Sequence, residues 1–345
     1  MTRSTEDGGR RIRRVTLADV ARRAGVDKAV VSRVVNNDPL LNIRPETRAR
    51  VLAAIKELDY RPNAAARSLR TTRTGTVGLF IPDFANPVYA EIITGAETAA
   101  AARDCVLMVG SSTAGGSARG YLDLLGPGRV DGLLLAGGAI TDEEQAVLAD
   151  RGLPWLFVNR RGGGGRHVVL ADGLAARIAV EHLVELGHRR IAHVGGPADA
   201  DTAQRRRDGY AAALRAGGLA EDPRLIVQGD YEPDGGARAA HRLLDGPEPP
   251  TAVFVANVTA AIGVLSALQA HGLSVPDQVS VVAVHDLPLA AHLVPPLTTV
   301  RMPLQALGAR AVELLLSAPA DQPVEEVVRD PIELVVRHST APPPH

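Results

Sequence analysis

Two short helical patterns, separated by one glycine, occupy residues 16–36 and constrain the N-terminal part of the chain more than any other feature. Thr16 followed by Asp19 has the spacing of a capping box, which satisfies free backbone N–H groups at a helix start. Gly25 can adopt the left-handed backbone conformation that ends a helix, and Asp27 can cap a second helix. Two short helices around such a turn predict a helix-turn-helix, whose second helix enters a DNA major groove.

The charge of the sequence is distributed unevenly. Residues 1–74 contain 17 Lys/Arg and 8 Asp/Glu, a balance of +9, whereas residues 75–345 have a balance of −10. A basic N-terminal part attached to an acidic remainder indicates that the basic part alone binds a polyanion such as DNA.

Composition excludes several other classes of protein. Hydrophobic residues make up 46% of the chain, enough for a folded core, and the single Cys105 excludes a disulfide framework and a CxxC pair. No apolar run reaches the roughly 18 residues of a membrane span. The basic N-terminus lacks the apolar segment of a signal peptide. We therefore expect a cytoplasmic protein of two or three domains, with no cofactor and no metal site.

A third helix is expected over residues 45–59. The motifs at residues 16–36, 45–48 and 60–69 follow one another in the order and at nearly the spacing of a known family. In these runs the chain resembles the lactose/galactose repressor family of bacterial transcriptional regulators. The resemblance implies five segments. They are a basic tail at 1–14, a helix-turn-helix domain at 15–61, a hinge helix and linker at 62–74, an effector-binding and dimerisation domain at 75–340, and a tail at 341–345.

The helical pattern and the resemblance together predict the DNA contacts. Lys28, Ala29 and Arg33 are expected to face bases, and Arg33 can donate two hydrogen bonds to one guanine. Contacts that position the DNA backbone are expected from Ser32, Asn36, Tyr60 and Asn63, and Thr16 is also expected among the DNA-binding residues. Leu69 holds the position of the family's minor-groove wedge, which kinks the duplex.

Some residues depart from the family pattern in this region. Asp27 stands where the family often has Ser, Val30 where a Thr commonly meets the DNA backbone, and Arg44 where a Ser precedes the proline. Residues 37–42 are also longer than in the shortest members. These departures leave the operator sequence open.

From residue 75 onward, strand-like and helix-like runs alternate. Strands are expected at 76–82, 106–110, 130–136, 155–159, 191–195, 252–256 and 279–284, with helices at 88–103 and 173–186. Repeated βα units predict parallel sheets that hold ligands at the carboxyl ends of their strands. The expected fold is a small all-α helix-turn-helix head followed by an α/β two-lobed effector domain, which the resemblance implies is like the periplasmic binding proteins.

Candidate effector contacts follow from the resemblance, all of them expected at strand ends facing the cleft. They are Asn86, Tyr89, Asn159, Arg160, Arg206, Asn257 and His285. Sugar-binding relatives usually have Asp at the positions of Asn159, Val258 and His285, so this site is expected to be less acidic than theirs.

The loss of these carboxylates leads to a prediction about the effector. If Arg206 lacks a protein partner, the effector is expected to bear an anionic or acceptor group, and His285 adds a pH-dependent donor. The alternative is that Asp83 or Asp172 neutralises Arg206 and that the effector is a sugar held by Asn side chains.

The glycine-containing runs of the sequence do not match the motifs of an enzyme. The glycine run 162–165 lacks a P-loop or GxGxxG pattern, and the run 110–114 misses a nucleophile elbow, so an enzyme is not expected. The sequence predicts a ligand-controlled transcriptional repressor that binds a near-palindromic operator as a homodimer. The proline-rich end, 339–345, cannot form the leucine heptad of tetrameric members. The alternative is a DNA-binding or architectural protein with a ligand-independent sensor domain.

Overall fold

A computed structural model describes residues 15–36, 38, 40–60, 73–111, 120, 128–137, 142–150, 152–162, 165–319 and 322–344. The chain divides into two compact units, Met1–Thr74 and Gly75–His345, which we call the head and the body. Asn63, Leu69 and most of the predicted hinge lie outside the described residues.

Three helices form the described part of the head: α1 (Leu17–Ala24), α2 (Lys28–Val35) and α3 (Pro45–Glu57). Thr16 and Asp19 form the predicted capping box reciprocally, and α1 ends at Gly25 with a φ of 66°. Asp27 caps α2 by accepting a 2.7 Å hydrogen bond from the backbone N–H of Ala29. These predictions are confirmed because each depends only on residues close together in the sequence.

The third helix of the head ends earlier than predicted. α3 begins at Pro45 and ends at Glu57, since Asp59 adopts a left-handed φ of 45° that a helix cannot continue through. The core of the head contains Val20, Val31 and Val51, one residue from each helix. It is a small core that holds the three helices in a fixed arrangement.

Two six-stranded sheets form the described part of the body. The strands are β1 (Thr76–Ile81), β2 (Val106–Ser111), β3 (Gly132–Leu135), β4 (Trp155–Val158), β5 (Arg166–Leu170), β6 (Ile191–Val194), β7 (Ile226–Val227), β8 (Ala252–Val255), β9 (Ser280–Val284), β10 (Thr298–Arg301), β11 (Val324–Val328) and β12 (Glu333–Val335). The first sheet has the order β11-β5-β4-β3-β1-β2 and the second β12-β10-β9-β8-β6-β7. Every pairing is parallel except that of β10 with β12. The seven predicted strands are confirmed to within two residues, whereas β5, β7 and β10 to β12 were not predicted.

Helices cover the sheets. They are α4 (Pro87–Ala101), α5 (Asp142–Asp150), α6 (Asp172–Glu185), α7 (Asp201–Ala216), α8 (Pro233–Leu244), α9 (Val258–Ala270) and α10 (Leu304–Ser317). α4 and α10 pack backbone to backbone, because Gly95 lies against the backbone of Gln305 and Gly308 against that of Ile92. Within the described ranges, no helix is both long and apolar enough to span a bilayer.

The chain crosses between the sheets three times. It passes from β5 into α6, from β10 into α10, and from β11 into β12. Each sheet with its helices is therefore a lobe built from more than one stretch of sequence, and we call them the first and second lobes. The carboxyl ends of β1, β3 and β4 lead into one side of a cleft and those of β6, β8 and β9 into the other, as parallel sheets predict.

Candidate nucleic-acid interface and ligand cleft

The exposed side of α2 carries the three residues predicted to face bases. Lys28, Ala29 and Arg33 are exposed, whereas Val31 and Val34 are buried in the core of the head. One side of α2 is thus basic and accessible, as a helix that enters a DNA groove requires.

The guanidinium of Arg33 is held by a carboxylate that the sequence analysis did not single out. Arg33 Nε donates to Oδ2 of Asp38 at 2.7 Å. Asp38 lies in the long segment 37–42, just beyond the end of α2. The proposed base-contacting arginine is therefore oriented before any DNA is bound.

The other residues predicted to contact DNA have different surroundings. Thr16 is exposed within its capping box, and the side-chain amide of Asn36 donates to the backbone carbonyl of Ser32. Tyr60 is only 8% exposed and packs in the core of the head. Tyr60 therefore has a packing role, and its contact with DNA stays a prediction.

A cavity of about 370 Å³ lies in the cleft between the two lobes of the body. It is lined by Pro82, Asp83, Asn86, Tyr89, Ala136, Gly137, Asn159, Arg160, Pro197, Asp199, Ala200, Asp201, Thr202, Asp230, Tyr231 and Glu232. Four of the predicted effector residues are among them. The other three, Arg206, Asn257 and His285, are each about 2% exposed and contact Tyr231 directly or through one another.

Strand ends and helix starts position most of these side chains. Asn86 is the N-cap of α4 and Asn257 that of α9, while Asn159 and His285 directly follow β4 and β9 with positive φ angles of 61° and 78°. Arg206 is an exception. The prediction that it lies at a strand end is wrong, because it is inside α7 and reaches the site from the helix.

Arg206 is already paired inside the protein. Its Nη2 lies 2.6 Å from Oδ1 of Asp172, and its Nη1 donates to the carbonyl of Ala256 at 2.7 Å. Burial alone lowers the pKa of Arg206, but Asp172 and neighbouring tyrosines outweigh it and raise the pKa above its ordinary value. The premise of an unpaired Arg206 is therefore wrong, and the alternative partner Asp172 is confirmed.

His285 is a neutral, buried donor. Burial, and then the charge of Arg206, hold the pKa of His285 well below its usual range. The prediction of a donor that titrates near physiological pH is therefore wrong. Arg206 Nη2 donates to His285 Nε2 at 3.2 Å, so the single ring proton belongs on Nδ1, which has no hydrogen-bond partner among the described residues.

Tyr231 is a cavity residue that the sequence analysis missed. Cζ of Arg206 lies over the Tyr231 ring, 5.8 Å from the ring centroid. The Tyr231 hydroxyl forms a 2.9 Å hydrogen bond with the hydroxyl of Thr202. Asn257 donates to the backbone carbonyl of Tyr231 at 2.9 Å, and Gly196 leaves room for the ring. Tyr231 has a φ of 69° in a turn rich in Gly and Asp. No periodic pattern marks such a residue.

Tyr89 is the second aromatic residue that lines the cavity, and its phenol is uncharged at neutral pH. Burial, followed by the nearby Tyr231, raises the pKa of Tyr89 further above its ordinary value of 10. Two uncharged phenol rings from opposite lobes therefore border the cavity.

Carboxylates outnumber cations around the cavity. They are Asp83, Asp199, Asp201, Asp230 and Glu232, against the cation Arg160. Ion pairs with arginines occupy Asp201 and Asp230. Burial, followed by repulsion from Asp83 and Asp230, raises the pKa of Glu232. Such a wall repels an anion and accepts hydrogen bonds from hydroxyl groups.

Comparisons with known families and proteins match both units of the chain. Residues 16–63 match the family "Bacterial regulatory proteins, lacI family", and residues 180–340 match the "Periplasmic binding protein-like domain". Catabolite control protein A of Priestia megaterium is 35% identical over 332 residues, 94% of this chain and 99% of that protein. The ribose operon repressor of Escherichia coli strain K12 is 36% identical over 306 residues, 87% of this chain and 92% of that protein.

Solved structures agree with the fold described above. The complex of the transcriptional regulator CelR with cellobiose has a TM-score of 0.71 and 34% identity, covering 94% of this chain and 100% of that one. The lac repressor dimer bound to operator and the anti-inducer ONPF has a TM-score of 0.83 and 30% identity, covering 95% and 99%. The predicted fold class, a helix-turn-helix head with a two-lobed body, is confirmed.

Proposed function

Because the chain belongs to the lacI family of bacterial regulatory proteins and is a DNA-binding transcriptional regulator, not an enzyme, we propose a specific mode of repression. The protein binds a near-palindromic operator as a homodimer. A neutral polyhydroxylated molecule in the cleft cavity changes its affinity for that operator. The cavity with two tyrosine walls and a carboxylate-rich rim is the observation that carries the proposal.

The ligand class follows from the chemistry of the cavity. Tyr89 and Tyr231 line the cavity, where aromatic rings suit the apolar faces of sugar rings, and the carboxylates accept hydrogen bonds from hydroxyl groups. Arg206 has its partner in Asp172 and needs no anion. We therefore propose a neutral sugar as the effector, and not the anionic compound that was expected from the sequence. The relatives solved with cellobiose or named for a ribose operon agree with this class.

The DNA contacts are proposed from the exposed side of α2. Lys28, Ala29 and Arg33 read base edges, because they share the accessible face of the helix that follows the turn. Further contacts to the DNA backbone come from Thr16, Ser32, Asn36, Tyr60 and Asn63. Leu69 inserts into the minor groove, as the family resemblance implies.

The homodimer is proposed from the edge of the first sheet. β2 is the last strand of that sheet, and its Val106 and Met108 are 67% and 45% exposed. Apolar side chains on an accessible edge strand favour association with another chain. Two copies related by a two-fold axis present two heads to two operator half-sites. The similar lac repressor is solved as a dimer bound to operator.

The ligand proposal is tested with the full-length protein. An operator is first selected from a library of random duplexes, and its affinity is then measured by fluorescence anisotropy with ribose, cellobiose and other neutral sugars. The matching sugar phosphates and uronic acids serve as charged controls. One neutral sugar is expected to raise the Tm and to change operator affinity at least about tenfold. Binding of the charged compounds alone would contradict the ligand class. Unchanged operator affinity with every compound would favour the ligand-independent sensor.

A further inference from the structure

We propose that Asp38 is a specificity-determining residue of the DNA-binding head, which acts by orienting the guanidinium of Arg33. The proposal rests on the proposed role of Arg33 in reading bases and extends it to a residue that touches no base. It concerns the long segment 37–42, which the proposed DNA contacts leave without a role.

The backbone fixes the Asp38 carboxylate in place. The N–H of Asp38 donates to the carbonyl of Arg33 at 3.0 Å, and Oδ1 of Asp38 accepts from the N–H of Leu40 at 2.9 Å. The other oxygen, Oδ2, accepts from Arg33 Nε at 2.7 Å. Each carboxylate oxygen therefore has a separate partner, and the geometry is more specific than that of two long side chains meeting in solvent.

The pair leaves the outer edge of the guanidinium available. With Nε engaged by Asp38, no described residue accepts a hydrogen bond from Arg33 Nη1 or Nη2. A guanine presents O6 and N7 in the major groove, and two parallel N–H groups of one arginine bind them. Asp38 therefore holds the Arg33 side chain in an orientation that leaves Nη1 and Nη2 available to one guanine. Because other Arg33 rotamers are already excluded in the free protein, less side-chain entropy is lost when DNA binds.

Asp38 also has an electrostatic effect on all DNA. Its charge lies beside the proposed DNA-binding face and repels phosphates whatever the sequence. The negative charge therefore weakens binding to operator and to random DNA alike. Orienting Arg33 strengthens operator binding alone, and this effect raises the ratio of specific to non-specific affinity.

The substitution Asp38→Asn separates these effects from folding. An asparagine Oδ1 can still accept from the N–H of Leu40, whereas its amide nitrogen cannot accept from Arg33 Nε. The matched control is Glu57→Gln, which also removes one negative charge from an arginine pair in the head. Glu57 Oε2 lies 2.7 Å from Nη2 of Arg23, which belongs to α1 and not to α2.

The experiment measures the affinity of the full-length variants for three kinds of duplex at one salt concentration. These are the selected operator, the operator with each guanine pair replaced in turn, and a random duplex. Asp38→Asn is expected to bind random DNA more tightly and to lower the operator-to-random ratio about tenfold. The lost discrimination should fall at the same base pair that Arg33→Ala affects. Glu57→Gln should tighten binding to all duplexes alike and leave the ratio unchanged.

Two results would overturn the proposal, and they are distinguishable. If Arg33→Ala lowers discrimination at one base pair but Asp38→Asn leaves or raises the ratio, Asp38 merely competes with DNA for Arg33. If Arg33→Ala changes discrimination at no base pair, the proposed role of Arg33 fails together with that of Asp38. A Tm of Asp38→Asn equal to that of the wild type shows that the head remains folded.

Discussion

Asp172 and Arg206 form a buried ion pair that joins a lobe crossover to the ligand cleft. Oδ1 of Asp172 lies 2.6 Å from Nη2 of Arg206, and the two side chains are 0% and 2% exposed. Asp172 is the first residue of α6, just after the chain leaves β5 for the second lobe. The pair therefore couples the start of α6 to α7 at the inner end of the cleft.

Removing the Asp172 charge should destabilise the body strongly. Asp172→Asn leaves the Arg206 cation buried without its counterion, which typically costs about 3–5 kcal/mol of the free energy of unfolding. Trp155 is the single tryptophan of the chain and lies in β4 of the body, so its fluorescence reports on the body alone during urea unfolding.

The control for this experiment is a pair of the same type on the surface. Asp222→Asn removes an aspartate that pairs with the well-exposed Arg224 at 2.8 Å, and it should change the stability little. If Asp172→Asn lowers the free energy of unfolding by less than about 1 kcal/mol, the prediction is wrong. Structural relaxation or water would then compensate for the lost counterion of Arg206.

Sequence reasoning recovered the features that depend on neighbouring residues. The capping box of Thr16, the left-handed Gly25 and the Asp27 cap are decided within three or four residues, and the structure has all three. The predicted strands were also recovered, because continuous apolar runs are typical of parallel strands buried on both faces.

The features that the sequence did not reveal depend on distant contacts. β5 begins with Arg166, whose buried guanidinium donates to the carbonyls of Trp155 and Pro319 at 2.9 Å. Its strand partner β11 lies about 160 residues later in the chain. The sequence likewise did not decide which carboxylate pairs with Arg206. Asp83 and Asp172 were both candidates, and only the folded chain brings Asp172 into contact with Arg206. No local pattern encodes such pairings.

Acid should destabilise the body through its buried histidines. Burial lowers the pKa of His167, His182, His188, His193 and His285. For His193 the pKa falls to about 4, below the ordinary value of 6.5 that applies to the unfolded chain. The unfolded chain therefore takes up the proton first. The stability from neutral His193 is complete above pH 6.5 and is lost as the pH falls toward 4.

The contribution of His193 can be isolated with His193→Phe. The imidazole stacks between Tyr210 and Phe254 at centroid distances of 5.1 and 4.9 Å, and a phenyl ring can occupy the same place without a proton. Between pH 7.5 and 5.0 the free energy of unfolding of this variant should fall by about 2 kcal/mol less than that of the wild type. Above about pH 7.5, where His193 is neutral in the folded and the unfolded state alike, the two pH slopes should agree. Equal slopes below pH 6.5 would contradict the assignment of this effect to His193.

Displacing the Tyr231 ring should weaken ligand binding without unfolding the body. In Gly196→Ala the added methyl group meets the Tyr231 ring, so the ring must leave its place over Arg206. The affinity for the sugar identified in the ligand panel should fall about tenfold or more, as measured by titration calorimetry. The control Tyr231→Phe keeps the ring and loses only the hydrogen bond to Thr202, so its affinity should stay within about tenfold of the wild type. Full affinity in Gly196→Ala would show that the ring is not a ligand wall.

Charging the edge of the first sheet should separate the proposed dimer. Val106 and Met108 are two residues apart on β2, so their side chains lie on the same face of the strand. In the double variant Val106→Lys with Met108→Lys, the two copies bring like charges together at an apolar contact, and burying those charges is costly. Light scattering at micromolar concentration should give half the mass of the wild type.

The loss of the dimer should also appear in DNA binding. A monomer presents one head, so operator affinity should fall by more than about a hundredfold, whereas binding to random DNA, which depends on phosphate contacts, should fall less. The control Leu174→Lys charges another exposed apolar residue, on α6 of the body, and should remain dimeric with full operator affinity. If the β2 variant keeps the dimer mass while Leu174→Lys loses it, the interface lies on α6, because the same change of charge has then been tolerated at the edge of the sheet.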